Sequence, residues 1–427
     1  MIKKVGLISF ITFISLSLTA QVSTLDLTLQ QAKEYALRHN RTMQNADLDV
    51  LKAEAVRWQT IASMLPQVNA AYDYNNFMDY VASFGGMQTT LPNQGTFSIT
   101  AGLQISGSQI VGAMLNTIAV KMSDISKKQT KQTTVSNTTQ LYMSALAMER
   151  TVELLDANKT NINRIYQMTQ NAVNAGVMEK TDADKIYIQV LNIENSMNSA
   201  KRNLEVLYNS LKLFLGVDMD TQLLLTDDID NLTDAETALS LIRTDFKPSD
   251  NYSYQLLQKN KELSKKQIAL AAMGYSPSLT LGYKYSDVQY FGGAPLMSNT
   301  PPHVFAIGVS VPLFTSGRVH QSIAEKVIEH KKTLNTTLDA EEGLKMQDRQ
   351  LKYNLSSTYE SFQIQKQNSE VSQRVFDNIS EKFKYGRASS LEVTQASTDM
   401  VSAQNGYIQA LVNMVNAQIE LRNLLNK

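Results

Sequence analysis

Between residues 183 and 214 the apolar side chains fall at Ala183, Ile186, Val190, Ile193, Met197, Ala200, Leu204, Leu207, Leu211 and Phe214. The steps alternate between three and four, which is the a/d seam of a coiled coil. The same spacing returns 210 positions later, at Val393, Ala396, Met400, Ala403, Tyr407, Ala410, Met414, Ala417, Leu421 and Leu424. Each seam starts shortly after a glycine, Gly176 or Gly386. Two seams in one register indicate an internal duplication.

In chain order, Thr28-Leu29-Gln30-Gln31 fits a capping box and predicts a helix to about His39. A second helix is predicted over 42–64, with Leu48, Leu51, Ala55, Trp58 and Ile61 on one face, stopped by Pro66. The period then changes from 3.6 to 2. Val68, Ala70, Tyr72 and Tyr74 alternate with polar or small residues, and after a loop Phe97, Ile99, Ala101, Leu103 and Ile105 do the same. These read as two strands of about nine residues with one apolar and one small, polar face. That length and pattern fit a transmembrane strand, but taken alone they favour a half-buried hairpin in a soluble domain.

Residues 108–173 hold no Pro and only Gly112, so one helix of roughly 100 Å is predicted. Its lower part carries a seam of Leu141, Ala145, Met148, Val152, Leu155, Ile162 and Tyr166, interrupted by Lys159. Its middle, 126–140, is Ser, Thr, Gln and Lys around a lone Val135, too polar to be packed on several sides, so it is expected to face water or a lumen. The chain turns at Asn174-Ala175-Gly176, and the seam helix runs back to a C-cap at Gly216.

Residues 218–249 are acidic and irregular, and read as a solvated connector with one short helix over 235–243. The order then repeats. A helix over 254–273 ends at Pro277, and a strand places Leu279, Leu281, Tyr283 and Tyr285 on one face. Phe291-Gly292-Gly293 echoes Phe84-Gly85-Gly86, and a strand with Phe305, Ile307, Val309, Val311 and Leu313 follows. Thr315-Ser316-Gly317 turns the chain into a second long helix over 318–385. Pro66 pairs with Pro277, Phe97 with Phe305 and Gly176 with Gly386, at offsets of 211, 208 and 210. Leu351, Leu355 and Phe362 keep the first-half pattern, whereas Gln365, Ser369 and Ser372 break it. The expected organisation is a first repeat over 21–217, a connector over 218–249 and a second repeat over 250–427, the whole of 21–427 forming one structural domain.

Charge is balanced, with 40 basic and 40 acidic side chains, so no field favours nucleic acid. The absence of cysteine excludes disulfides, thiol catalysis and a lipid-modified N-terminal cysteine. Lys3 and Lys4 before the apolar run 5–18 read as a secretory signal cleaved after Ala20; a membrane anchor helix needs a longer run. His39, His303, His320 and His330 are scattered, without the i, i+3 or i+4 spacing of a helical metal site, and the 18 methionines spread along seams and loops. No catalytic set, cofactor or metal site is predicted, and the chain reads as a non-enzyme.

Four strands with a lipid-like face leave open edges, and in a bilayer only a closed barrel survives. Closure takes at least eight strands, so several copies must contribute. Three copies, giving twelve strands, leave a usable lumen, because an eight-stranded barrel is nearly filled by side chains.

In order and spacing, Leu27-Thr28-Leu29-Gln30-Gln31-Ala32, Met64-Leu65-Pro66, Gly176-Val177 with Thr181-Asp182, Val311-Pro312-Leu313-Phe314, and Lys384-Tyr385-Gly386 with Leu391-Glu392-Val393 resemble the TolC family of outer-membrane efflux channels. The resemblance implies a mainly α fold with a small β part: two tandem repeats of helix, strand pair and long coiled-coil hairpin. It implies a homotrimer in the outer-membrane lipid, with a twelve-stranded β-barrel above an α-helical tunnel in the periplasm. It also implies a passive exit duct for an efflux or type I secretion system, joined through a periplasmic adaptor (membrane fusion) protein to an inner-membrane pump of the RND or ABC type.

By the same resemblance Gly176, Val177, Gly386 and Arg387 form hairpin tips that touch the adaptor, and Asp182, Arg387 and Glu392 form the periplasmic gate. Gln395 stands where the best-known members carry a second acid, and Arg387 lies one position before the family's pairing arginine. Read from the residues alone, Asp182 and Glu392 also suit a helix N-terminus as first-turn acids. The competing function class is a secreted periplasmic coiled-coil scaffold without a channel. An independent porin is disfavoured, having no use for such long helices.

Overall fold

A computed structural model of the chain describes residues 24–84, 86–232, 235–292 and 301–427. The signal segment 1–20 with its cleavage site at Ala20, and Gly85 and Gly293 of the paired loops, lie outside the described residues.

In chain order the elements are β1 (Thr24–Leu27), α1 (Leu29–His39), α2 (Arg41–Ala62), β2 (Gln67–Asn75), β3 (Val81–Phe84), β4 (Met87–Thr90), β5 (Asn93–Ser106), α3 (Gly107–Asn174) and α4 (Lys180–Leu215). There follow β6 (Gln222–Leu225), α5 (Ile229–Leu232), α6 (Ala235–Ile242), α7 (Tyr252–Ala272), β7 (Ser278–Phe291), β8 (His303–Ser310), α8 (Arg318–Lys384) and α9 (Ser390–Leu425). The halves match in length: α3 and α8 have 68 and 67 residues, and α4 and α9 have 36 each. α2 and α7 also begin alike. Asn40 accepts from the Thr42 and Met43 amides, and Asn251, 211 positions on, accepts from the Tyr254 amide. Each satisfies amides that a helix start leaves without carbonyl partners.

The chain divides into two units. The first comprises the described parts of 1–36, 138–233 and 365–412. Its core is built by four helical segments: Leu155, Ile162 and Ile165 of α3, Ile186, Val190, Ile193 and Met197 of α4, Phe376 and Phe383 of α8, and Val393, Ala396 and Met400 of α9. The α4 and α9 seams are thus the buried stripes. Burying each large member stabilises the unit by roughly 1.5–3 kcal/mol. On α3 the stripe is shifted from the expected one. Asn158, 3% exposed, takes the seam place beside Leu155 and Ile162, while Lys159 lies off it and meets Glu194 at 2.9 Å. Asn158 donates to Gln404 at 2.7 Å, and Gln404 donates to Gln373 at 3.0 Å. An amide chain therefore joins α3, α9 and α8 where α8 lacks apolar seam residues.

In the connector the expected short helix forms as α6, whereas the residues before it, expected to be irregular, hold β6 and α5. β6 pairs in parallel with β1, from Thr24 beside Gln222 to Leu27 beside Leu225, and Leu27, Leu223 and Leu225 are buried. Asp227 accepts from the Leu29 amide at 2.6 Å and from the buried Tyr142 hydroxyl at 2.9 Å. Burial first, then the Asp227 carboxylate, pushes the Tyr142 phenol well above its ordinary pKa.

The second unit comprises the described parts of 37–137, 234–364 and 413–427. Leu241 of α6, Leu355 of α8, and Met414, Ala417 and Leu421 of α9 form a core there. The polar stretch 126–140 is packed on one side only: Ser126, Lys128, Lys131, Thr133, Asn137 and Gln140 stay exposed, and its packed side is held by hydrogen bonds. Within this unit Gln129 donates to Ser253 at 3.1 Å and Gln132 to the Asn423 carbonyl at 2.9 Å, and Thr134 is buried. Side-chain hydrogen bonds replace the apolar contacts the sequence lacks.

Candidate functional site

The strands of the second unit form one antiparallel sheet in the order β2-β5-β7-β8. β5 runs 14 residues rather than nine, β7 also runs 14, and β8 ends at Ser310, before Val311 and Leu313. A separate β3-β4 hairpin occupies the expected loop.

The register aligns the alternation of all four strands. Tyr72 stands beside Phe97, Ile99 beside Tyr285, Leu103 beside Leu281, Leu281 beside Ile307 and Tyr283 beside Phe305. Among the described residues nothing covers this apolar face: Tyr72 is 59% and Phe305 67% exposed. Aromatic groups gather toward its loop end. Tyr74 meets Phe291 edge-on at 5.8 Å, and the Tyr283 hydroxyl is hydrogen-bonded to His303 at 2.8 Å. Gly95 leaves room there, since a Cβ would collide with the Tyr72 hydroxyl. The other face carries Gln67, Asn69, Thr100, Gln104, Thr280 and Lys284 around a cleft of about 480 Å³. β2 and β8 each have one hydrogen-bonding edge that pairs with no strand among the described residues.

In the first unit, the two hairpins turn alike. Gly176 has φ 74° and Gly386 φ 67°. The Val177 amide donates to the Ala172 carbonyl, and the Arg387 amide to that of Lys382, both at 2.9 Å. These bonds satisfy helix-end carbonyls in a Schellman turn. Met178 and Ala388, two residues past each glycine, pack against the core, while Val177 and Arg387 point to solvent. Gly386→Ala should therefore cost roughly 1–2 kcal/mol from its left-handed backbone, read as a lower thermal midpoint, whereas Arg387→Ala should leave the midpoint unchanged.

Glu392 is the closing residue of a capping box. Its carboxylate accepts from the Ser389 amide at 2.7 Å and hydroxyl at 2.9 Å, and its own amide donates to the Ser389 hydroxyl. The Ser389 amide bond, then the hydroxyl bond, hold its pKa below the usual carboxylate range, with Lys382 adding to them. A pKa lowered on folding stabilises the tip above the unfolded value of about 4.3, and that support is lost as acid protonates the folded group.

Asp182 also sits in a helix first turn. It accepts from Ser390 at 2.6 Å and lies 4.0 Å from Lys185. It forms no bridge to Arg387 within the chain, and Arg387 makes no ion pair among the described residues. Sequence reasoning missed Ser390, because the 210-residue offset pairs equivalent positions and does not say which residues touch.

A sheet with one lipid-like face and open edges, in a chain that also carries two long helical hairpins, is the part list of an outer-membrane conduit. The model of the family described as "Outer membrane efflux protein" matches residues 32–217 and 255–427, and the chain belongs to that family. No curated protein matches the sequence significantly. Among solved structures, the CusC channel superposes with a TM-score of 0.76 at 14% identity, covering 95% of this chain and 94% of that one. CmeC of Campylobacter jejuni gives 0.75 at 13% over 93% and 85%. MtrE of Neisseria gonorrhoeae in its open state gives 0.74 at 15% over 93% and 88%. At these identities the likeness is one of fold, and the fold is that of TolC-like channels.

Proposed function

We propose that three copies of this chain close a twelve-stranded barrel in the outer membrane and extend it as a helical tunnel in the periplasm. On this reading the chain is made of the repeats 21–217 and 250–427 about the connector 218–249, and enters the periplasm through a signal removed near Ala20. It acts as a passive exit duct for efflux or type I secretion, docked through a periplasmic adaptor to an inner-membrane pump of the RND or ABC type.

The observation that carries the reading is the sheet: four strands with one polar face and, among the described residues, one uncovered apolar face and two unpaired edges. In hydrocarbon an unpaired edge cannot be hydrated, so the edges must meet those of other copies. Leu48, Leu51 and Trp58 of α2, about 60% exposed each, supply further apolar surface for a neighbour. The test is the purified protein. A detergent-dependent, heat-dissociable trimer supports the duct. A water-soluble monomer refutes it and favours the coiled-coil scaffold.

The tips Gly176, Val177, Gly386 and Arg387 are the adaptor contact on this reading. Glu392 lies in the entrance ring, and an Asp182–Arg387 bridge forms only between copies. Glu392→Ala should weaken block of single-channel current by added divalent cations. Unchanged block would remove Glu392 from the ring and leave it as a helix cap.

A further inference from the structure

We infer that Lys284 makes the β-lined part of the conduit favour small anions at its mid-height. This rests on the duct reading above, because only a closed barrel turns the polar sheet face into a lumen.

The register sorts that face into rows. Starting from the helix end, the rows are Ser106 with Ser278 and Ser310, then Gln104 with Thr280 and Gly308, then Gly102 with Gly282 and Ala306. The next row is Asn69, Thr100, Lys284 and Val304. Its members other than Lys284 are uncharged. The row beyond holds Ala71, Ser98 and Ser286, and the acid of this face, Asp73, appears only in the row after that, beside Thr96 and Val288. Four residues of strand put Asp73 roughly 13 Å further along. Among the described residues of the four strands, Lys284 is the one cation of the polar face, and it makes no ion pair. Its side chain is exposed and borders the cleft on that face. Among the described residues no acid forms an ion pair with it, and Asp73 offsets part of its field from further along the strand direction.

Three copies place three such ammonium groups at one depth. Strands about 4.8 Å apart, twelve in number and tilted by about 40°, close a backbone ring roughly 25 Å across. Lysines reaching inward by about 6 Å leave a bore of roughly 12 Å. The Debye length is about 30 Å at 0.01 M salt and 3 Å at 1 M. At low salt the lysine field therefore fills the bore, and at high salt it does not reach the axis. Coulomb's law for three charges about 7 Å from the axis then gives roughly tenfold enrichment of a monovalent anion at 0.01 M from the lysines alone, and roughly fourfold once three Asp73 carboxylates about 13 Å away are counted.

The experiment is the reversal potential of the whole protein in planar bilayers under a threefold KCl gradient near 10 mM. Trimer formation on gels establishes that each variant has assembled. Lys284→Glu should lower the chloride-to-potassium permeability ratio by about tenfold or more, Lys284→Gln by less, and Lys284→Arg should restore the wild-type value. Asp73→Asn should move the ratio the other way. The differences should vanish at 1 M salt. Conducting trimers whose reversal potential ignores Lys284→Glu overturn this inference and leave the duct standing. Absence of conductance in every protein, wild type included, overturns the duct and this inference together.

Discussion

Ile307→Arg should lower the stability of the assembled protein by about 2–4 kcal/mol per chain, seen as a large fall in the heat-dissociation midpoint of the oligomer. Ile307 lies on β8, beside Leu281, on the apolar sheet face, and is 64% exposed in the single chain. A side chain so exposed in water could be exchanged for arginine at almost no cost, within about 0.5 kcal/mol. In hydrocarbon the guanidinium must shed its water or drag water with it. The size of the effect therefore reports the solvent around the sheet. Thr280→Arg is the matched control. Thr280 is two rows nearer the helix end than Lys284, on the opposite face, where an added charge meets lumen water. The expected result is a large fall for Ile307→Arg and almost none for Thr280→Arg. Equal, small effects from both would place the sheet in water.

Gln404→Ala should cost about 2–4 kcal/mol, because it strands two partners at once. Gln404 is buried in the first unit between Asn158 and Gln373, accepting from one and donating to the other. Each bond contributes little net when made, but a buried amide left without a partner costs about 1–3 kcal/mol. Asn158, almost inaccessible to water, bears most of that. The double variant Asn158→Leu with Gln404→Leu should recover most of the loss, since both buried partners become apolar and half-buried Gln373 can hydrate. A thermal-midpoint cycle over the two singles and the double should give a coupling of about 0.5–3 kcal/mol. Additive losses would show that the amide chain is not a unit. A buried polar layer of this kind fixes the register in which helices meet, which an unbroken apolar seam leaves freer to slip.

Some elements were legible from neighbouring residues alone. The α4 and α9 seams, the turns at Gly176 and Gly386, the capping box at Thr28 and the face of each long strand follow from spacing over a few residues. The misses share a cause in long-range contact. Gln222-Leu223-Leu224-Leu225 is too short to read as a strand; it becomes one because β1, almost 200 residues away, lies alongside it. The 126–140 stretch keeps the exposed side its polarity implies, while its packed side depends on hydrogen bonds to Ser253 and Asn423, which hydrophobic spacing does not reveal. Counted by spacing, the α3 seam breaks at Lys159, whereas the packed helix turns Asn158 inward there. At the tips, the acids Asp182 and Glu392 were correctly placed in first helical turns, yet their hydrogen bonds go to Ser390 and Ser389 within the chain.

The sequence by itself determined what is periodic: two long helical hairpins, strands with one apolar side, and their repetition after about 210 residues. Periodicity is local, so backbone geometry reads it directly. Only the tertiary structure decided which strands adjoin, that both outer edges pair with no strand among the described residues, and that Lys284 stands in an uncharged row away from Asp73. Those facts depend on register between segments far apart in the chain. A one-residue slip between such segments would turn every side chain to the opposite face.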